Sequence, residues 1–573
     1  MSQVHFEIFR QQGKSGGWTL LEALDNRDAA VERAKKVLEE GRATAVRVVK
    51  ETLQADTGDY MSLTIFEDGK VSNVKKNKKI DDIENPTPCF KPDDLYSYHA
   101  RATIARLVGE WLARQRLTVT ELLHSAAALE KLEATGTTFQ HAIQKIAVAQ
   151  ASESDFPVSQ IVKQLNELCT AAIHRVYKDE KRGVFQAVQP GNFAALAERL
   201  TAKLDARYVL DGVLAKYLST AGGWDAKLHM LLGVMSELPS EGKARMLLLH
   251  AIDTLVAEML NGSAALADLL GHNPDLGHAI LNLVELFLGS EVHIAEGGGR
   301  GINELARYFA KDELPEARAA IAARILSELK GMKRLCPSSL DEELKMLRRL
   351  ANQLVRGQGK YLSHEDLIAA FTERSKRLVT HEPLLQYMEG LKTPDEKIER
   401  LLTVEENIIG AENKRTLCTF ILPLIISNTF EEQLLPGAQL PQRLKRLAEL
   451  QKRVLRCGFQ EVQKSQIASA LDAVALRIDD RGKFLHSLET RVGNPVERAQ
   501  TLLKLLMAGI FTQGDLTTKA RRLLMASLSR PGFLSAYIAQ HTTSDRNVVV
   551  AELTGQLESI GIAPEDTRRA LAA

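Results

Sequence analysis

Leucine-rich helical periodicity runs through most of the sequence and constrains the fold more than any other feature. From about residue 96 onward, apolar residues recur three and four positions apart, as on one face of a helix. A first example is the set Ile104, Leu107, Trp111 and Leu112. Aromatic residues make up only 5% of the chain, which suits helix-on-helix packing better than sheet packing. We therefore predict a mainly α protein.

A loose repeat is visible within this helical region. Each unit contains a leucine-rich helix, a second apolar helix and a short apolar cluster. The units with the clearest pattern begin near Leu228, Ile398, Leu444 and Leu502, and a weaker one begins near Leu347. Unit starts roughly 45 to 55 residues apart are typical of two- or three-helix repeats that stack into an α-solenoid-like array. The alternative is a leucine-rich helical protein without true repeats, which would produce similar matches.

The first 70 residues follow a different pattern. Apolar residues at alternate positions predict strands at 4–9, 18–23, 44–48 and 61–65, with one helix between the second and the third. Asp25 and Asp28 lie three positions apart, as a helix cap and a first-turn acid do, and Gly41 ends the predicted helix. Residues 1–70 are therefore predicted to form a small α+β domain with the order ββαββ.

A lysine- and proline-containing linker is predicted at residues 71–95. It would connect the α+β domain to a helical domain at 96–220 and a repeat-like helical array at 221–573. The cluster Lys75, Lys76, Lys78 and Lys79 is a candidate basic patch for contact with an anionic partner. The alternative interpretation is a solvated linker, because acidic residues follow the lysines directly.

The glycine-rich segment around Arg300 is the candidate anion site of this sequence. Gly298, Gly299, Arg300 and Gly301 precede a predicted helix, and backbone amides at a helix N-terminus can bind an anion. Neither the P-loop nor the dinucleotide-binding spacing is present, so the segment names no nucleotide family. A flexible loop between helices is the alternative interpretation.

Other sequence patterns predict neither a catalytic site, a metal site nor a cofactor. His364-Glu365 and His381-Glu382 resemble the start of a zinc-protease helix, but neither is followed by a second histidine four residues later. The acidic pair Glu405-Glu406 cannot act together, because adjacent side chains on a helix point in different directions. A catalytic pair assembled from distant residues stays open.

Charge and cysteine usage restrict the setting in which the protein works. The 74 basic and 73 acidic residues leave a formal net charge of +1, which disfavours nucleic acid as a partner. The five cysteines are well separated in sequence, as expected of reduced thiols in the cytoplasm. No apolar run approaches the roughly 18 residues needed to span a bilayer, so we predict no membrane span.

These observations favour binding over catalysis. The sequence predicts a cytoplasmic protein–protein interaction scaffold, adaptor or regulatory protein, with other proteins as partners. One alternative is a regulator that responds to a small anion or a nucleotide near Arg300. Another is an enzyme of unfamiliar type with a site between the helical domains.

Overall fold

The structure, a computed structural model, describes most of the chain. The described residues are 4–11, 18–53, 60–69, 86–154, 156–294, 296–540 and 546–572. Helix makes up 68% of the protein, which confirms the prediction of a mainly α fold with an N-terminal α+β region. None of the helices in the described residues combines the length and the apolarity that crossing a bilayer requires.

The chain divides into two compact units. One comprises Met1–Pro88 with Gln140–Asn166, and the other comprises Cys89–Phe139 with Glu167–Ala573. The division does not fall at a single point in the sequence, because residues 140–166 belong with the first unit. The domain bounds derived from the sequence stay predictions.

The N-terminal sheet is antiparallel, with the strand order β2-β1-β3-β4. Its elements are β1 (Val4–Gln11), β2 (Thr19–Leu24), α1 (Arg27–Glu39), β3 (Ala45–Leu53) and β4 (Tyr60–Gly69). Ile8 and Val48 are partners across β1 and β3, and both share a fully buried core with Ala34 of α1. Alternation along the strands therefore places one face of the sheet against α1, as the sequence pattern indicates.

The cap of α1 differs from the prediction. Asn26, rather than Asp25, precedes the helix, and its side-chain oxygen accepts hydrogen bonds from the backbone N–H groups of Asp28 and Ala29. Asparagine and aspartate are equally good N-caps, so the composition alone does not decide between the two positions. Gly41 adopts a left-handed φ of 66° just after the helix, as predicted for its end.

Helices follow the sheet. A 3₁₀ helix at Pro92–Tyr96 precedes α2 (Tyr98–Gln115), α3 (Val119–Leu123), α4 (Ala126–Glu133), α5 (Thr137–Ala151), α6 (Val158–Lys181), α7 (Phe193–Leu200) and α8 (Ala206–Leu218). Next come α9 (Trp224–Met235), α10 (Lys243–Asn261), α11 (Ser263–Leu270), α12 (Leu276–Phe287), α13 (Gly301–Ala310) and α14 (Pro315–Lys330).

From α15 to α26, the helices form groups of two longer helices followed by a shorter one, and α27 and α28 follow the last group. They are α15 (Leu340–Arg356), α16 (His364–Leu378), α17 (His381–Met388), α18 (Pro394–Glu405), α19 (Ala411–Ile426), α20 (Phe430–Gln433), α21 (Leu440–Arg456), α22 (Glu461–Gly482), α23 (Phe484–Arg491), α24 (Pro495–Met507), α25 (Asp515–Leu528), α26 (Phe533–Ile538), α27 (Arg546–Ser559) and α28 (Pro564–Ala572). The clear leucine clusters of the sequence lie on or next to α9–α11, α18–α20, α21–α23 and α24–α26.

From α10 to the C-terminus, a series of helices pack on one another although other helices lie between them in the sequence. The contacts run from α10 to α14, α16, α19, α22, α25 and α28 in turn, and we call this series the helix stack. Buried acids join its members. Asp253 of α10 accepts hydrogen bonds from the N–H groups of Glu316 and Ala317 at the start of α14. Asp472 of α22 does the same for Asp515 at the start of α25.

Candidate functional site

A cleft of about 550 Å³ lies between α2 and the C-terminal half of α10, beside the start of α11. α2 lines it with Ala102, Ala105 and Gly109, which the helical repeat places on one face. Larger side chains on this face would fill the cleft. Ala257 and Gly262 line the opposite side, so the cleft has walls of small residues that can enclose a ligand.

Glu258 of α10 is a charged residue held firmly in this cleft. Its carboxylate accepts hydrogen bonds from the backbone N–H and the hydroxyl group of Thr120, at 2.8 and 2.9 Å. Nε of Arg101 lies 3.0 Å from Glu258 Oε1, and the two side chains are only 13% and 12% exposed. This desolvated pair joins α2, α3 and α10.

The carboxyl group of Glu258 is poised to titrate near neutral pH. Burial raises its pKa to about 7, and the negative charge of Asp211 acts in the same direction. Arg101 and the hydrogen bonds from Thr120 oppose this rise, because both favour the ionised carboxylate. Acidic groups with raised pKa values in clefts are characteristic of binding and catalytic sites.

The cleft is connected to the first junction of the helix stack. Thr254 and Glu316 both line the cleft, and the Thr254 hydroxyl donates a hydrogen bond to Glu316 Oε2 at 3.0 Å. Nε2 of His250 lies 3.2 Å from Glu316 Oε1, and this hydrogen bond lowers the pKa of Glu316. The start of α14 is therefore held both by Asp253 and by side chains that a ligand would meet.

Aromatic rings pack behind Thr120. The ring centroids of Tyr96 and Tyr208 lie 5.0 and 5.1 Å from that of His124, and Nδ1 of His124 lies 2.7 Å from the carbonyl oxygen of Thr120. Burial lowers the pKa of His124, so its ring is neutral at neutral pH. Within the described residues, its Nε2 atom has no hydrogen-bond partner. This cluster fixes the backbone that holds Glu258.

The lining of the cleft is mostly apolar and carries a few polar groups. Among the described residues, its lining contains the hydroxyl groups of Tyr98, Thr118, Thr254 and Ser263 but no histidine or cysteine. In the described part of the chain, no group of three or more His, Cys, Asp or Glu side chains is arranged to hold a metal ion. Apolar walls and a few convergent polar groups match a small amphipathic molecule.

The predicted anion site lies at the start of α13. The backbone N–H of Gly301 donates a hydrogen bond to the carboxylate of Asp225 at 3.1 Å, and a Cβ atom at Gly299 would overlap the same carboxylate. Close packing against Asp225 therefore explains two of the glycines. Arg300 is exposed. Anion binding at Gly298, Gly299, Arg300 and Gly301 stays a prediction, although a carboxylate of the chain itself already pairs with one of these amides.

The remaining sequence candidates are the lysine cluster and the two His-Glu pairs. The basic patch of Lys75, Lys76, Lys78 and Lys79 lies outside the described residues. His364 and His381 begin α16 and α17, and the residues four positions later, Ile368 and Leu385, cannot bind a metal.

The residues that form the cleft were missed by sequence reasoning, although one signal could have found them. Residues 251–257 of α10 are all buried, and they include Asp253 and Thr254. Polar residues inside a helix that is apolar on every side must find partners, so they mark a buried polar network. The partners themselves, such as Thr120, are too distant in sequence to be recognised.

Comparison with known proteins gives no match. No protein-family model, no curated protein and no solved structure shows significant similarity to this chain.

Proposed function

We propose that this chain is a protein–protein interaction scaffold, adaptor or regulator. The observation that supports the proposal best is the helix stack, which extends from α10 to α28 through contacts between successive groups. Stacks of this kind leave a long face on which a partner protein can lie. The five cysteines are all free thiols, which supports a reducing compartment such as the cytoplasm.

Charged side chains on the stack are available to a partner. Glu373 of α16 and Arg415 of α19 are 47% and 59% exposed, and each is paired only with a residue of its own helix. Exposed pairs of this kind contribute little to stability, so a partner can replace them at small cost. They are suitable positions for testing the stack as a binding surface.

The test combines affinity capture with a charge-reversed surface. Tagged full-length protein is used to capture partners from native lysate of its source, and cross-links are mapped by mass spectrometry. The stack variant combines Glu373→Lys with Arg415→Glu. The control combines Lys345→Glu with Glu449→Lys on α15 and α21, outside the stack. Both double variants keep the net charge and alter exposed helical positions.

We expect a stoichiometric partner to be captured by the natural chain and by the control, with cross-links on α16, α19 or α22. The stack variant should not capture this partner. Failure to capture any partner with well-folded protein would argue against a scaffold. Equal capture by both variants would exclude the tested part of the stack as the binding surface.

A second candidate function is regulation by a small ligand in the cleft. It is favoured by the contacts of Thr254 and Glu316, since a ligand there would touch the residues that hold the start of α14. Ligand binding could thus alter the first junction of the stack.

Replacement of a small wall residue tests this candidate. Ala105→Trp should fill the cleft, whereas Ala319→Trp places the same side chain at an exposed position of α14. Native and denaturing mass spectra of the purified full-length chain would show whether a small molecule co-purifies. We expect it with the natural chain and with the Ala319 variant, and not with the Ala105 variant. If all three chains retain the ligand equally, the ligand binds outside the cleft.

A further inference from the structure

A cavity of about 570 Å³ lies between α25, α28 and the turn at Gly561. Arg521, Arg522 and Arg569 line it, and we call it the arginine cavity. Its apolar lining includes Met525, Ile562 and Ala570. It therefore combines several fixed positive charges with a surface that an apolar side chain can cover.

The arginine side chains from α25 to α28 have no partner among the described residues. Their side chains form no hydrogen bond or ion pair with the described residues, and the six are Arg521, Arg522, Arg530, Arg546, Arg568 and Arg569. Most arginines from α15 to α22 do form such contacts. They are Arg349, Arg374, Arg377, Arg400, Arg415, Arg443, Arg446, Arg453, Arg477 and Arg481. The positive charge of the C-terminal helices is thus left for another molecule.

The guanidinium group of Arg521 lies close to the turn at Gly561. Its Nε atom is buried and has no hydrogen-bond partner in the described residues. Gly561 has a left-handed φ of 79°, and a Cβ atom at this position would lie 2.9 Å from Nη2 of Arg521. The left-handed conformation of the turn favours glycine, and the absence of a side chain leaves room for the guanidinium group.

A second cavity extends the basic surface. It is lined by Arg530 and Arg546, and it includes Leu571, whose neighbour Ala570 lines the arginine cavity. Together the two cavities offer separated positive charges on either side of the end of α28. One small anion could not contact all of them, so an extended ligand fits better.

We propose that the arginine cavity binds a short acidic segment of a partner protein, in which carboxylates alternate with apolar side chains. Guanidinium groups bind carboxylates with matching geometry. Asp566 lies in the same cavity, and Glu565 precedes it at the start of α28. These two acids would repel any anion, whereas Met525, Ile562 and Ala570 can be covered by apolar side chains but not by phosphate groups, which favours a peptide over nucleic acid. The inference rests on the proposed function and names the chemistry of the partner.

Binding of a defined probe to the full-length chain tests the proposal. The probe is a fluorescein-labelled peptide that alternates glutamate with leucine, followed by fluorescence anisotropy at low and physiological salt. The test variant combines Arg522→Gln with Arg569→Gln, both at exposed positions. The matched control combines Arg348→Gln with Arg356→Gln, which are exposed arginines of α15 and also lack partners among the described residues.

We expect the test variant to bind the peptide roughly tenfold more weakly than the natural chain, because two charge-assisted contacts are lost. The control should change affinity less than about twofold, since its charge change is equal but remote. Arg521→Gln alone should also weaken peptide binding. This result would show that the peptide contacts the cavity itself and not only the two exposed arginines.

Two results would overturn the proposal. Equal peptide affinity for the test variant and the control would show that binding reflects net charge only. Tighter binding of an oligothymidylate of equal charge through the same arginines would assign the cavity to nucleic acid instead. Affinity capture separates this inference from the proposed function. A partner captured equally by the natural chain and by the Arg522/Arg569 variant would leave the scaffold intact and reject the cavity.

Discussion

Arginine side chains pair with acids at the junctions inside the helical array, whereas those at its C-terminal end have no partner in the described residues. At two successive junctions the second residue of one helix pairs with the seventh residue of a later one: Asp341 with Arg400, and Asp395 with Arg446. At the C-terminal end, arginines such as Arg568 have no partner in the described residues. The same residue type therefore joins helices in one region and is left free in the other.

This difference separates structural charges from available ones. A buried charge without a partner is costly, so removing one member of a buried pair should destabilise the fold. An exposed arginine without a partner contributes little to stability and can be kept for binding. Substitutions at the junctions should therefore affect stability, and those at the end should affect binding alone.

The largest effect is expected at the buried pair that joins α9 to α3. Nζ of Lys227 lies 2.5 Å from Glu121 Oε1 and 2.5 Å from the carbonyl oxygen of Arg116, and the two side chains are 4% and 2% exposed. Lys227→Met leaves the Glu121 carboxylate buried without a cation, which costs about 3–5 kcal/mol. A lower thermal midpoint and faster hydrogen exchange in α3 and α9 would report this loss.

Two further variants sharpen this test. Adding Glu121→Gln to Lys227→Met should recover part of the stability, because a neutral amide is cheaper to bury than an unpaired carboxylate. Lys243→Met removes an exposed lysine and should leave the midpoint nearly unchanged. If the Lys227 and Lys243 variants unfold at the same temperature, the buried pair does not hold this junction.

The second effect is a pH dependence at Glu258. Because its folded pKa of about 7 is raised above the ordinary 4.5, the folded state binds a proton more tightly than the unfolded state. The contribution of Glu258 to stability is therefore greatest below about pH 4.5 and is lost as the pH rises through about 7. At about 1.4 kcal/mol for each tenfold change in proton affinity, the loss approaches about 3 kcal/mol.

Comparing unfolding midpoints at pH 5 and pH 8 isolates this contribution. Glu258→Gln should reduce the difference between the two pH values, because the amide does not titrate. Glu110→Gln, at a cleft residue that is 94% exposed, should leave the difference as in the natural chain. An unchanged pH difference in the Glu258 variant would show that another group causes it.

How much the sequence could predict depends on the range of the interaction. The capping box of Thr118 and Glu121, in which the Thr118 N–H donates to the Glu121 side chain, lies within four residues and therefore follows a local sequence pattern. The second role of Glu121, its pair with Lys227, joins residues 106 positions apart and has no local pattern. Helix periodicity is local, so the fold class was predictable.

The candidate site was not predictable for the same reason. Its floor combines Arg101, Thr120 and Glu258, which belong to three helices and meet only after these have packed. An anion site was predicted at the segment from Gly298 to Gly301 because a run of glycines is a local pattern. What the sequence does not show is the carboxylate of Asp225 beside them.

A smaller effect should distinguish the two equivalent junctions of the array. Arg446→Met removes the cation beside Asp395, whose side chain is 2% exposed, and should cost about 2 kcal/mol. Arg400→Met removes the equivalent cation beside Asp341, which is 46% exposed and can be solvated, and should cost less than about 1 kcal/mol. Urea unfolding monitored by hydrogen exchange in α18 and α21 would measure both. Equal losses would mean that burial of the acid is not the deciding factor.

The smallest effect is expected at the C-terminal end. Arg568 is exposed and has no partner in the described residues, so Arg568→Gln should change the free energy of unfolding by less than about 0.5 kcal/mol. Thermal unfolding of this variant, the natural chain and Arg446→Met compares the stability contributions of the C-terminal end and of the junctions. A loss as large as that of the Arg446 variant would show that the C-terminal arginines have structural partners after all. A neutral result would mean that their charge is free to serve an external ligand without loss of stability.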